Sequence, residues 1–195
     1  MKRSFSVASL SVAALITLSA CGSPSGGDME GMGMGQESSA AAEYSHADAM
    51  FAQMMIPHHR QAVEMSEIIL AKDGIDPQIT DLATTIKDAQ GPEIETMTGW
   101  LEAWNQPGQP EAGMEDHDMN GMMSQDEMAE FEGAEGMEAS RMFLEAMTDH
   151  HEGAIDMARD AIDNGQNPEV IKLAETIVES QQAEIDRMQQ LLAAL

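Results

Sequence analysis

The residues best suited to chemistry are two histidine pairs, His58-His59 and His150-His151. Each pair is flanked by methionines at matching offsets, Met55 and Met65 around the first and Met147 and Met157 around the second. Ala62 and Ala154 occupy the intervening turn. On a helix, Met, His, Ala and Met at these spacings share one stripe, and the small alanine leaves room beside the axis. Imidazole nitrogen and thioether sulfur suit copper. The thioether favours Cu(I), since it is a soft donor and needs no deprotonation. His59 and His151 lie about 100° further round the helix. One histidine of each pair is therefore expected to face the core and the other its edge. Gln90 with Met97, and Gln181 with Met188, form matching faces on the next helices, which makes Met97 and Met188 further candidate ligands. Buried neutral imidazoles need hydrogen-bond partners or a metal. Asp149, Glu64, Gln90 and Gln181 are the candidate partners. Methionine at helical spacing more often fills a core than binds an ion. The recurrence of both histidine pairs with the same flanking methionines tips the balance towards metal.

A second group of soft donors lies in low-complexity sequence. Met29, Met32 and Met34 stand in a Gly-rich segment, and His117, Met119, Met122 and Met123 in an acidic one. No helix core explains methionine there, where exposed thioethers invite oxidation. These segments are read as loose collectors of soft ions, Cu(I) first and Ag(I) as its mimic. Other readings lack their residues. No Glu precedes either histidine pair at the Glu-x-x-His spacing of di-iron bundles, and the His-Glu-x-x-His of zincins is absent. Nucleophile elbows and phosphate-binding glycine loops are absent as well. The expectation is a protein that is not an enzyme and carries no organic cofactor.

The histidine pairs belong to a duplication. Met50-Phe51, Met55, His58-His59, Ala62 and Met65 recur as Met142-Phe143, Met147, His150-His151, Ala154 and Met157. After a one-residue gap, Gly74, Pro77, Gln90, Glu93, Ile94 and Met97 recur as Gly165, Pro168, Gln181, Glu184, Ile185 and Met188. Each copy reads as a helix hairpin. Asp76-Pro77 and Asn167-Pro168 supply the N-cap and first helical residue of the second helix, after Gly74 and Gly165 end the first. The first repeat spans 45–104. An acidic Met/His-rich linker covers 105–123. Residues 124–195 hold a short helix, opened by a Ser124/Glu127 capping box, and the second repeat. Strand patterns are absent. Neither hairpin buries its stripe alone, so the two should close about a pseudo-two-fold axis into an all-α four-helix bundle, one folded domain over 45–195. Pro57 and Pro92 interrupt helical patterns and predict kinks or irregular turns. Asp149 replaces Pro57, and Ser140 replaces Asp48, in the second copy, so the halves are expected to differ.

Residues 1–20 read as a lipoprotein signal peptide. Lys2 and Arg3 precede an apolar stretch, Val7 to Leu18, and Leu18-Ser19-Ala20-Cys21 resembles a lipobox. Cys21, the one cysteine, would carry the lipid, and 21–44 would be a flexible Gly/Met-rich tether. The predicted location is the extracytoplasmic side of a membrane. Cleavage takes the net charge from −26 to about −28. That excludes nucleic acid as a partner and attracts cations. The 19 methionines stand against one tyrosine and four phenylalanines.

These motifs together resemble the DUF305 family over about 45–195. The resemblance rests on Met55-x-x-His58-His59-x-x-Ala62-x-x-Met65 and Met147-x-x-His150-His151-x-Gly153-Ala154-x-x-Met157. It also rests on Gln90-x-x-Glu93-Ile94-x-x-Met97 and Gln181-x-x-Glu184-Ile185-x-x-Met188. It implies a ferritin-like four-helix bundle, usually exported or membrane-anchored. Some members resemble copper-resistance proteins that bind Cu(I) or Ag(I) through Met and His. The expected function is a lipid-anchored copper-binding protein that buffers, sequesters or hands on Cu(I). Its partners would be copper ions, the membrane through Cys21 and a copper-handling protein. The alternative is a structural or interaction lipoprotein whose Met and His residues only pack. Composition leaves the oligomeric state, and competition by other metals, open.

Overall fold

The structure, a computed structural model, describes residues 44–109 and 121–195. The expected signal peptide, Cys21, the tether methionines Met29, Met32 and Met34, and His117 and Met119 lie outside the described residues. Among the described residues five helices form in order: α1 (His46–Leu70), α2 (Pro77–Ala103), α3 (Gln125–Gly133), α4 (Gly136–Asn164) and α5 (Pro168–Leu192). No strand occurs among the described residues, and no helix there is long and apolar enough to cross a membrane.

Local chemistry sets most of the boundaries. Ser45 and Asp48 form a capping box on α1, and Ser124 and Glu127 form one on α3. Asp76 and Asn167 cap α2 and α5 through Gln78 N–H and through Glu169 and Val170 N–H, each with proline next in the chain. The two glycines that end the first helix of each hairpin are there for different reasons. Gly74 adopts φ +76°, a left-handed turn that favours glycine. Gly165 has an ordinary φ of −71°. Any Cβ there would lie 2.7 Å from the Asp48 carboxylate and closer still to the Ala161 carbonyl. Both α1 and α2 run as unbroken α-helix through Pro57 and Pro92, so of the kink or irregular turn expected at each proline the turn does not form. Each costs one backbone hydrogen bond, which packing over these long helices absorbs.

The hairpins α1–α2 and α4–α5 are each closely packed, and they meet mainly through α1 against α4. The apolar interior is divided in two. One cluster takes Met65, Ile69, Leu82, Ile86, Met147, Ile185 and Met188. The other takes Met55, Ile56, Met97, Leu101, Ala154, Ala158, Val170 and Ile177. Every long helix crosses from one cluster to the other at a buried polar residue: His58-His59 on α1, Gln90 on α2, His150-His151 on α4 and Gln181 on α5. Ile155 alone keeps to the first cluster beyond this crossing. A polar layer thus cuts the bundle near its middle.

The halves differ where the sequence differs. The buried Asp48 carboxylate accepts from Ser45 N–H and from Gln166 and Asn167 N–H, tying the start of α1 to the α4–α5 turn. Its counterpart Ser140 only returns a bond to Gly136 O of its own helix. The opposite turn is held instead by Lys72 Nζ, which donates to the Glu132 and Ala134 carbonyls at 2.8 Å.

Candidate metal centre

All four paired histidines are fully buried. The His58 and His150 rings, equivalent in the two repeats, meet at the pseudo-two-fold axis with centroids 3.7 Å apart and planes 42° apart. The outer pair turns the other way. His59 Nε2 lies 2.8 Å from Glu93 Oε2, and His151 Nε2 lies 2.7 Å from Glu184 Oε2. These glutamates come from the partner helix of each hairpin, and their side chains keep 18% and 15% of their surface in solvent. Glu64 and Asp149, named from sequence as partners, are exposed on the outside. Gln90 and Gln181 are buried in the layer. Both amide atoms of Gln90, and Oε1 of Gln181, lack a protein partner. Glu93 and Glu184 are thus the residues that sequence reasoning missed. Their signal was present, since each stands three residues after a repeated Gln, on the face already assigned to the core.

The glutamates fix the proton. A carboxylate accepts only, so the hydrogen of a neutral His59 or His151 sits on Nε2, and the lone pair is left on Nδ1. Neither Nδ1 has a hydrogen-bond partner. Neither ring nitrogen of His150 makes a hydrogen bond of good geometry. Burial first, then the neighbouring His58, His151 and His59, hold the His150 pKa well below its ordinary 6.5, and the nearby His58 main chain restores only a little. That imidazole is neutral at physiological pH.

Soft sulfur lies on both sides of the layer. Met65, Met147 and Met188 are fully buried in one apolar cluster, and Met55 and Met97 in the other. Thr148 Oγ1 donates to the Leu144 carbonyl at 2.7 Å and lies 3.8 Å from Met188 Sδ. Met157 departs from its repeat partner Met65. It is half-buried at the rim of its cluster. Met122 and Met123 are also half-buried. Gln61 grips the Met123 main chain, donating to its carbonyl and accepting from its N–H, both at 2.8 Å. Gly121, at φ +83°, lies so close to the Asp149 carbonyl that no Cβ would fit.

Among the described residues no three His, Cys, Asp or Glu side chains are grouped to hold an ion. A closed zinc site or a di-iron site needs at least that many nitrogen, thiolate or oxygen donors. Nitrogen lone pairs between methionine layers suit a soft ion of low coordination number. A buried polar group without a partner costs about 1–3 kcal/mol, so a layer with several is expensive unless something binds there.

No functionally curated protein matches the chain. Solved structures do. A putative secreted DUF305 protein from Streptomyces coelicolor is 36% identical, with a TM-score of 0.71, covering 76% of this chain and 91% of that one. A DUF305 fragment from Deinococcus radiodurans is 32% identical, with a TM-score of 0.70, covering 77% and 98%. CopM in its Cu(I)-bound form is 31% identical, with a TM-score of 0.64, covering 75% and 96%. CopM is also known in Cu(II)-bound, Ag-bound and apo forms. The family model for the domain of unknown function DUF305 matches residues 48–192, and with the repeated histidine layer and these neighbours it shows that the chain belongs to the DUF305 family.

Proposed function

We propose that this protein binds Cu(I) at the histidine layer, to buffer, sequester or hand on the ion without catalysing a reaction. One observation carries the reading. Two buried imidazoles are each anchored through Nε2 by a carboxylate and each leave Nδ1 unpartnered, between layers of buried methionine. A carboxylate behind a metal-binding histidine fixes its tautomer and raises its basicity. The methionines supply donors that stay soft at any pH, and the apolar clusters exclude the water and oxygen ligands that favour Cu(II). Ag(I), of similar chemistry, should occupy the same donors. The likeness to CopM, known with Cu(I), Cu(II) and Ag bound, supports copper.

The sequence supports the setting. A lipobox-like Leu18-Ser19-Ala20-Cys21 implies a lipid anchor outside the cytoplasm, and a net charge of −26 draws cations in. Met29, Met32, Met34, His117 and Met119 would gather ions for the bundle, and a copper-handling protein would supply or accept them.

The test is a Cu(I) competition titration under reductant. It compares the full chain, a variant with all four paired histidines changed to Asn, and a variant with Met29, Met32, Met34 and Met119 changed to Ser. Loss of the ligands should cost more than the roughly 10–100-fold typical of removing their supporting partners. The serine variant should retain the tight site. If the asparagine variant remains helical and binds as tightly as the parent, the histidines are architecture and the reading fails.

A further inference from the structure

On its outer side, away from the histidine layer, α1 forms one wall of an open groove whose other wall is α4, with a volume of about 480 Å³. His46, Met50 and Met54 line it from α1, one turn apart, and Met157 faces them from α4. Phe51 also lines it. His46 is exposed, and the three methionines are half-buried.

Packing alone does not account for these residues, and the duplication provides the control. In the second repeat the equivalent face is sealed by α3. Phe131 stacks on Phe143, the counterpart of Phe51, with centroids 6.3 Å apart, and Met128, Met142 and Ala146 pack against the same cluster. There the counterparts of His46 and Met54 are Glu138 and Ala146. On the open side, where no helix covers the face, the chain places an imidazole and an extra thioether. At these two positions the soft donors stand where packing asks least for them.

We infer that this groove is a second binding site, for one soft monovalent cation, Cu(I) or Ag(I), held by the thioethers of Met50, Met54 and Met157 with the His46 imidazole. The donor chemistry sets the class of ion. Asp156 and Asp160 line the α4 wall. However, Asp156 is near Arg159 at 3.6 Å, Asp160 accepts from Asn164 at 2.8 Å, and no three His or carboxylate groups gather there to hold a hard metal. The carboxylates therefore contribute negative potential, and sulfur provides the bonds. Met54 and Met55 are adjacent in sequence, so the open groove and the buried layer lie on two faces of one helix, and an ion taken from solvent at the first is one helix away from the second. The inference shares its ion with the copper reading above but none of that reading's histidines.

The full chain labelled at the methionine ε-methyl carbons would be titrated with Ag(I), which is diamagnetic and resists oxidation, with resonances assigned by single Met→Leu changes. Met50, Met54 and Met157 should shift together with one common affinity. They should shift equally in the four-histidine variant, and neither Zn(II) nor Ca(II) should move them. The triple variant Met50→Leu, Met54→Leu, Met157→Leu, which nearly conserves volume, should bind one ion fewer while its other methyls titrate as before. Methyls that stay still, shift with unrelated affinities, or respond equally to Zn(II) would overturn the groove site. If only the buried methionines respond, the groove fails and the histidine-layer reading stands. If only the groove responds, the reverse holds.

Discussion

At the scale of single residues, the two His–Glu pairs carry the most. Each does two jobs at once: it satisfies a buried Nε2–H and it leaves the lone pair on Nδ1, buried and without a hydrogen-bond partner. Changing Glu93 and Glu184 to Gln keeps the shape and removes the charge. A charge-assisted bond is roughly twice as strong as a neutral one, so the fold should lose about 1 kcal/mol per site. The Cu(I) affinity should fall about 10–100-fold. Denaturant unfolding and the competition titration read the two effects separately. An unchanged affinity with reduced stability would assign the glutamates to the hairpin alone. The crowding of His58 on His150 belongs to the same scale. Two fully buried rings 3.7 Å apart cannot both be charged.

At the scale of the helices, the duplication is imperfect, and the imperfections are where structure was added. Asp48 is fully buried and takes three main-chain N–H bonds, two of them from the far turn at Gln166 and Asn167. Replacing it with Ala would strand those donors. A loss of about 2–4 kcal/mol is expected, since each buried unsatisfied group costs about 1–3 kcal/mol. Ser140→Ala, at the equivalent position, removes only a bond within its own helix and should cost under about 1 kcal/mol. Denaturant midpoints of the two variants decide the matter. Equal losses would mean that Asp48 does not lock the hairpins together. The short α3 is the other addition. It covers one of two equivalent faces and leaves the groove of His46, Met50 and Met54 open.

At the scale of the molecule, the bundle holds a polar layer between two apolar clusters, which makes it sensitive to acid. The His150 pKa is held well below 6.5 by burial and by the imidazoles around it. Above about pH 6.5, the ordinary histidine value, folded and unfolded chains both hold this ring neutral, and it adds no pH dependence. Below that, the unfolded chain gains a proton that the folded chain refuses, so stability falls as pH falls towards the folded pKa. The metal-free protein should therefore lose stability as the pH falls below about 6.5. His150→Gln should flatten that part of the curve, whatever the carboxylates do at lower pH. A parent curve flat over this window would contradict the burial argument.

The sequence by itself determined what depends on near neighbours in the chain. Helix periodicity, the Ser, Asp and Asn caps, the prolines that follow the last two and the repeat of His-His with Met are local patterns. They predicted the two hairpins, the short capped helix and the burial of Met55, Met65, Met97, Met147 and Met188. What depends on one helix facing another was decided only in the folded molecule. Glu93 and Glu184 stood in the repeated motif, yet nothing local showed that they, and not Gln90 or Gln181, would reach the histidines. Met157 has the same sequence setting as Met65, but it lies at a rim where no helix covers it. Gly74 and Gly165 look alike in sequence, but one serves a left-handed turn and the other makes room for Asp48. A periodic pattern specifies which face of a helix turns inward. Which side chain meets it there depends on the axial register and rotation of the partner helix, and packing of the whole core sets both.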